Sequence, residues 1–276
     1  LVKDSTCSGL RVGTWNVRGL TDEKILNIVS IFEKLKIDMC ILTETHWIGT
    51  DIASFGDWRI HHSGSTSSIR EKGVAMMVKS GDSMNIEFEA ISERVFLCHI
   101  PQRSITVVGV YVPTDSGHSS EEKEEFFALL QEHVERATTE AEKRKHELIV
   151  GGDFNCRLNR TEENGKTVGC YTSSTVTSEN GDLLIDLADA CNLRVENIFY
   201  KHKLAQRTGW THPATRKRLL LDLCLSQKSR CNRISNVKSY PNFDCGSDHD
   251  LVVLMIWITN NNKVQIGRAS CRERVS

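Results

Sequence analysis

Six short polar clusters punctuate this chain, each at the end or edge of an apolar, strand-like run. They are Trp15-Asn16, Thr43-Glu44, Tyr111-Val112-Pro113, Gly152-Asp153-Phe154-Asn155, Asp222 and Ser247-Asp248-His249. Strands that repeatedly stop in acidic, amide, phenol and imidazole side chains require a sheet architecture whose strand ends meet at one rim, where rigid scaffolds carry their sites. Between the runs lie two stretches with helical spacing. Residues 23–35 repeat Ile25, Ile28, Val29, Phe32 and Leu35, and residues 120–146 carry a stripe of Phe126, Phe127, Leu130, Val134 and Ala137 among charges.

Strands are expected at residues 10–17, 37–43, 58–62, 73–79, 95–100, 105–112, 147–154, 193–197, 219–225 and 251–258. A hairpin turns around Pro101-Gln102-Arg103, a Ser/Gly-rich loop covers 63–68, a polar loop covers 159–178, and a further helix covers 180–191. Asp22 is the expected cap of the first helix, and Ser119 or Ser120 opens the long one ahead of Glu-rich residues. Strands and helices alternate, but hairpins interrupt them. The class is therefore α/β with mixed sheets covered by helices, not a purely parallel doubly wound sheet.

With 276 residues the chain can bury a large core without disulfides or a structural metal. Its 35 Lys+Arg against 36 Asp+Glu leave a formal net charge of -1, so any nucleic-acid binding must come from a local patch. The ten cysteines form no CxxC pair, and Cys40, Cys98 and Cys224 lie in apolar runs. They read as reduced, structural thiols of an intracellular protein. No apolar stretch approaches the ~20 residues of a membrane span. Residues 265–276 resemble the translation of a sequencing-library adapter, so this tail is expected to be non-native and the chain a fragment, with one domain at 10–258.

Each cluster has an ordinary structural reading beside the chemical one. Asp153-Phe154-Asn155 puts an acid and an amide on one face and an aromatic into the core, but Asp/Asn turns after buried strands are common. Ser247-Asp248-His249 offers a metal ligand and a general base, or a solvated loop. Glu44 suits a hard cation, and Asn16 shares its ambiguity with many surface amides. Asp222 is sharper, because a charge inside Leu219-Leu220-Leu221-Asp222-Leu223-Cys224-Leu225 is costly unless paired; His249 is its expected partner, with an arginine or a solvent face as the alternatives.

Taken together, the six clusters resemble the endonuclease/exonuclease/phosphatase superfamily over roughly residues 11–258. The likeness is greatest to the apurinic-like endonuclease domains of non-LTR (LINE-type) retrotransposons and to craniofacial development protein 2-like proteins. The resemblance implies a four-layer α/β sandwich, two mixed β-sheets face to face with helices outside. It implies Mg²⁺- or Mn²⁺-dependent phosphodiester cleavage, with Glu44 as principal metal ligand and Asn16 and Asp248 nearby. His249 would activate water or stabilise the phosphate, Asp222 would orient it, and Asp153 would serve the leaving oxygen. Asn155 and Tyr111 would hold phosphate oxygens.

Trp210, Thr211, His212, Arg216, Lys217 and Arg218 form a basic, aromatic-flanked loop expected to contact DNA; a solvated hairpin with an anchoring Trp is the ordinary reading. The functional expectation is a DNA-nicking endonuclease of a retroelement, nuclear, with a reverse transcriptase in the intact product. Two alternatives stand beside it: another phosphoesterase of the superfamily (abasic-site repair, deadenylation, lipid or inositol phosphate) and a catalytically decayed binding protein.

Overall fold

A computed structural model describes residues 7–67, 71–80 and 84–259. In chain order its elements are β1 (Cys7–Asn16), α1 (Asp22–Leu35), β2 (Met39–Thr43), β3 (Thr50–Phe55), β4 (Trp58–Ser63), β5 (Val74–Lys79), β6 (Glu87–Ser92), β7 (Val95–Ile100), β8 (Ile105–Tyr111), α2 (Ser120–Arg144), β9 (Glu147–Asp153), α3 (Glu179–Ala190), β10 (Leu193–Val195), α4 (Leu204–Arg207), β11 (Trp210–Thr211), β12 (Arg218–Leu219), β13 (Asp222–Gln227), β14 (Ile234–Tyr240) and β15 (Leu251–Thr259).

Seven strands build one sheet, in the order β14-β15-β1-β2-β5-β4-β3, and six build the other, in the order β10-β13-β9-β8-β7-β6. Each contains one parallel pair, β1 with β2 and β8 with β9, and the helices α1 and α2 are the crossovers that such pairs need. The other pairs are antiparallel, so both sheets are mixed as expected.

Strand alternation builds three cores. Leu10 and Val12 of β1, Met39 and Ile41 of β2, Ile105 and Val107 of β8, and Ile149 of β9 meet between the sheets. The opposite faces of β1 and β2 turn Trp15, Cys40 and Leu42 toward Ile25, Ile28 and Phe32 of α1. Val108, Val110, Leu148 and Val150 pack on Leu130 and Val134 of α2 and Leu184 and Leu187 of α3. The result is helix, sheet, sheet, helix, the four-layer sandwich implied by the resemblance.

Several boundaries differ from expectation. Thr21, not Asp22, caps α1, accepting a hydrogen bond from Lys24 N. Ser119 and Glu122 close a capping box on α2. The apolar run at 219–225 is divided: Arg218–Leu219 pairs with β11 in a small ribbon, and Asp222 is the first residue of β13 rather than an interior one. Strands β3, β6 and β14 were not expected. The Ser/Gly-rich loop is described only to Ser67, and Cys271 and the tail at 265–276 lie outside the described residues. The cysteines at 40, 98, 156, 191, 224 and 245 are free and buried, in keeping with structural thiols.

Candidate active site

The row of side chains between the sheets turns polar at one end. On β1 the inward positions run Leu10, Val12, Thr14, Asn16; on β8 they end at Tyr111, and on β9 at Asp153. Register then aligns these ends. Tyr111 pairs with Asp153 across β8 and β9, and Asp153 faces Asp222 across β9 and β13. Two fully buried carboxylates thus stand on adjacent strands.

His249 joins them. Its Nδ1 lies 2.7 Å from Asp222 Oδ2, the pairing expected from the sequence, and its Nε2 lies 4.0 Å from Asp153 Oδ2. Burial opposes charge on His249, but Asp222, with Asp153 and Asp248 adding to it, outweighs burial and holds the imidazole above its usual range. Burial pushes the carboxyls of Asp153 and Asp222 upward, and His249 works against that rise in both.

Glu44 follows β2 in the left-handed region, with φ of 51°, which breaks the strand and redirects its carboxylate toward this group. It accepts from Asn16 Nδ2 at 2.7 Å and from the Tyr111 hydroxyl at 2.9 Å. The same Asn16 Nδ2 donates to Asp153 Oδ2 at 2.9 Å. Burial raises the Tyr111 hydroxyl, with Glu44 and Asp153 adding to it, so the phenol stays a donor. Among the described residues, Arg18, Glu44, His46 and Asn155 are four of the nine non-glycine residues with positive φ, and such conformations gather at functional sites.

Every motif is also tied to another. Trp15 Nε1 donates to His249 O at 2.8 Å, and Ser247 Oγ donates to Asn16 O at 2.6 Å. Asn155 Nδ2 holds Val112 O at 2.8 Å, while its backbone N–H donates to Asp153 Oδ1. Two amides that sequence reasoning missed complete the frame. Asn180 bridges Pro113 O and Asn155 O, and Asn197 donates to Asp222 O and accepts from Cys224 N. No local pattern marks them, because their partners are distant in the chain.

A cleft of about 610 Å³ opens over the group, lined by Glu44, Asp153, Asn155, Asp248 and His249. Asn16, Tyr111 and Asp222 stand behind these as hydrogen-bond partners, so Tyr111 holds Glu44 rather than facing the cleft. Asp248 is on the same rim, with its carboxylate 3.0 Å from Arg18 Nη1 and accepting from Trp210 Nε1 at 3.0 Å. Trp210 leans toward His249 with ring centroids 6.2 Å apart. The guanidinium of Arg218, expected at the DNA, is engaged by Asp250, Thr208 and the hydroxyl of Thr211. His212 Nδ1 accepts from Ala214 and Thr215 N–H groups, holding the turn that presents Arg216 and Lys217.

The donor set fits a hard divalent cation. Glu44, Asp115, Asp153 and Asp248 line the cleft with Asp222 behind them, Asp153, Asp222 and His249 gather their ligand atoms within 4.8 Å, and Asp222 Oδ1 is buried with no hydrogen-bond partner. Acid, amide and imidazole groups around one cleft suit the cleavage of a phosphoester more than nucleophilic catalysis: the His249 ring faces Asp222 through Nδ1 and Asp153 through Nε2, and Ser247 beside it accepts only from the His249 backbone N–H.

A family profile described as endonuclease–reverse transcriptase, of the endonuclease/exonuclease/phosphatase type, matches residues 105–253. The chain belongs to this family. Craniofacial development protein 2 of Bos taurus is 27% identical over 245 residues, covering 88% of this chain and 40% of that protein, and the Tragulus javanicus protein is 26% identical. The chain thus spans about two-fifths of the curated relatives it matches. Among solved structures, the endonuclease domain of TRAS1, a telomere-specific non-LTR retrotransposon, superposes with a TM-score of 0.62 at 16% identity, covering 90% of this chain and 98% of that one. The AP endonuclease of Leishmania major gives 0.67 at 13% identity, covering 90% and 87%. At these identities the likeness is one of fold.

Proposed function

We propose that this chain is a Mg²⁺- or Mn²⁺-dependent endonuclease that nicks DNA, of the kind that serves a non-LTR retrotransposon. The observation that carries the reading is the line Asp222–His249–Asp153 set beside the Glu44–Asn16–Tyr111 group in one cleft.

In this reading Glu44 is the principal oxygen ligand, held in place by Asn16 and Tyr111, and Asp248 is the second acid on the rim. A bound divalent cation would neutralise phosphate charge and lower the pKa of an attacking water. The water gives up its proton to bulk solvent, its oxygen bonds to phosphorus, and the bond from phosphorus to the 3′-oxygen breaks. His249, kept positive by Asp222, faces the phosphate as its charge grows. Asp153, whose carboxyl burial favours the protonated form, gives its proton to the departing 3′-oxygen. Asn155 orients a phosphate oxygen at the cleft wall. Trp210, Arg216 and Lys217 contact the flanking strand. The product 3′-hydroxyl is the end a reverse transcriptase can extend, which agrees with the family description; a chromosomal DNA substrate would put the reaction in the nucleus.

An end-labelled duplex incubated with Mg²⁺ tests this. The expected products carry a 3′-hydroxyl and a 5′-phosphate. Faster turnover of an inositol phosphate or phospholipid than of any duplex would overturn the DNA assignment while keeping the chemistry.

A further inference from the structure

A second cleft, of about 830 Å³, adjoins the first and shares Arg157, His212 and Leu219 with it. Arg157 lies two residues beyond Asn155, at the junction, and Arg216 and Lys217 lie farther along. None of these three cations has an ion-pair partner among the described residues, whereas Arg218 beside them is paired with Asp250. The same cleft carries two apolar side chains left in water, Val176 at 54% exposure and Leu204 at 55%. Ser174 fixes the Val176 backbone, its hydroxyl donating to Val176 O and accepting from Val176 N.

The combination is specific. Unpaired cations in a row suit phosphates, one after another along a strand. Exposed apolar groups in the same cleft need an apolar surface on the ligand. In a duplex the base faces are stacked on one another and hidden. In a single strand they are available for contact with side chains. A cleft of this volume also matches a nucleotide-sized ligand, not a whole duplex.

The geometry points to a binding site for an unpaired DNA flank, entering from the scissile phosphate past Arg157, with Arg216 and Lys217 on its phosphates and Val176 and Leu204 against a base. It rests on the proposed nuclease reading and adds a substrate class to it: DNA that is single-stranded on one side of the cut.

The test needs no cleavage. Fluorescence anisotropy in EDTA compares a blunt DNA duplex with the same duplex carrying a short thymidine overhang at its 3′ end or its 5′ end. The expected result is that one overhang binds about tenfold tighter than the blunt duplex. Leu204→Ser combined with Val176→Ser should cut this advantage to about twofold or less with blunt-duplex affinity unchanged, because both side chains are exposed and their loss leaves the core intact. Arg157→Gln should weaken the overhang more than the blunt duplex. Equal binding of all three duplexes by the unaltered protein, or an advantage that survives the double substitution, would overturn the inference. Overhang preference without Mg²⁺-dependent cleavage would instead sink the nuclease reading and leave this site standing.

Discussion

Asp153 and Asp222 are an uncomfortable pair. They face each other across adjacent strands, and both are removed from water. Two carboxylates in that position need a cation, and His249 supplies it on the protein's own side. Asp222→Asn removes the partner that raises His249, so the imidazole should titrate at lower pH by NMR of the metal-free protein. Nicking should fall by about two to four orders of magnitude. An unchanged imidazole titration would show that Asp222 does not set its charge. Gly152 beside this pair has φ of 146°, and a Cβ there would stand 1.8 Å from Val110 O. Gly152→Ala should therefore cost at least about 3 kcal/mol in urea unfolding, through backbone strain against β8. The chemistry-bearing side chains were legible because each ends an apolar run. Arg157, Asn180 and Asn197 were not, because an isolated polar residue in a loop acquires its role only from segments far along the chain.

Among the elements, the central strands were readable and the margins were not. Strands β3, β6 and β14 are three of the four edges of the two large sheets. Their sequences, TDIASF, EFEAIS and ISNVKSY, are rich in polar residues; β3 is largely exposed, β6 mostly half-buried and β14 partly buried, and the polarity that discourages an edge from pairing with other chains blurs the alternation a strand is recognised by. The divided run at 219–225 failed for the opposite reason: Leu220 and Leu221 are buried in a connection, so burial alone looked like strand. At the end of α2, His146 shares Thr106 Oγ1 with His99. Burial, then the neighbouring His99 and Arg144, pull its pKa from 6.5 to about 4. A depressed histidine is neutral when folded, while the unfolded chain takes up a proton below its ordinary pKa. The stability it contributes is therefore present above about pH 6.5 and lost as pH falls toward 4. Urea unfolding at about pH 7 and about pH 5 should show the unaltered protein losing on the order of 1 kcal/mol more than His146→Gln. A smaller loss in the unaltered protein would contradict this sign.

For the whole molecule, charge is the constraint. A formal net charge of -1 provides no broad attraction for DNA, so affinity has to come from the cations beside the cleft. With Arg157, Arg216 and Lys217 as the main phosphate contacts, the slope of log affinity against log salt should be only about -2 to -3, and each Gln substitution among them should reduce it by about one. A much steeper slope would place the DNA on a different surface. No helix among the described residues is long and apolar enough to cross a membrane. What organises the fold is the meeting of two sheets whose shared core ends in acids, an amide, a phenol and an imidazole, and we propose that end as a metal-assisted phosphodiester-cleaving site. The most direct test is nicking of supercoiled plasmid by the unaltered protein with Mg²⁺ and with EDTA, beside Asp153→Ala and His249→Ala. Such a site gives Mg²⁺-dependent open circles that both substitutions reduce by at least about a hundredfold. Folded protein that leaves the plasmid supercoiled, or variants that nick as fast as the unaltered chain, would contradict it.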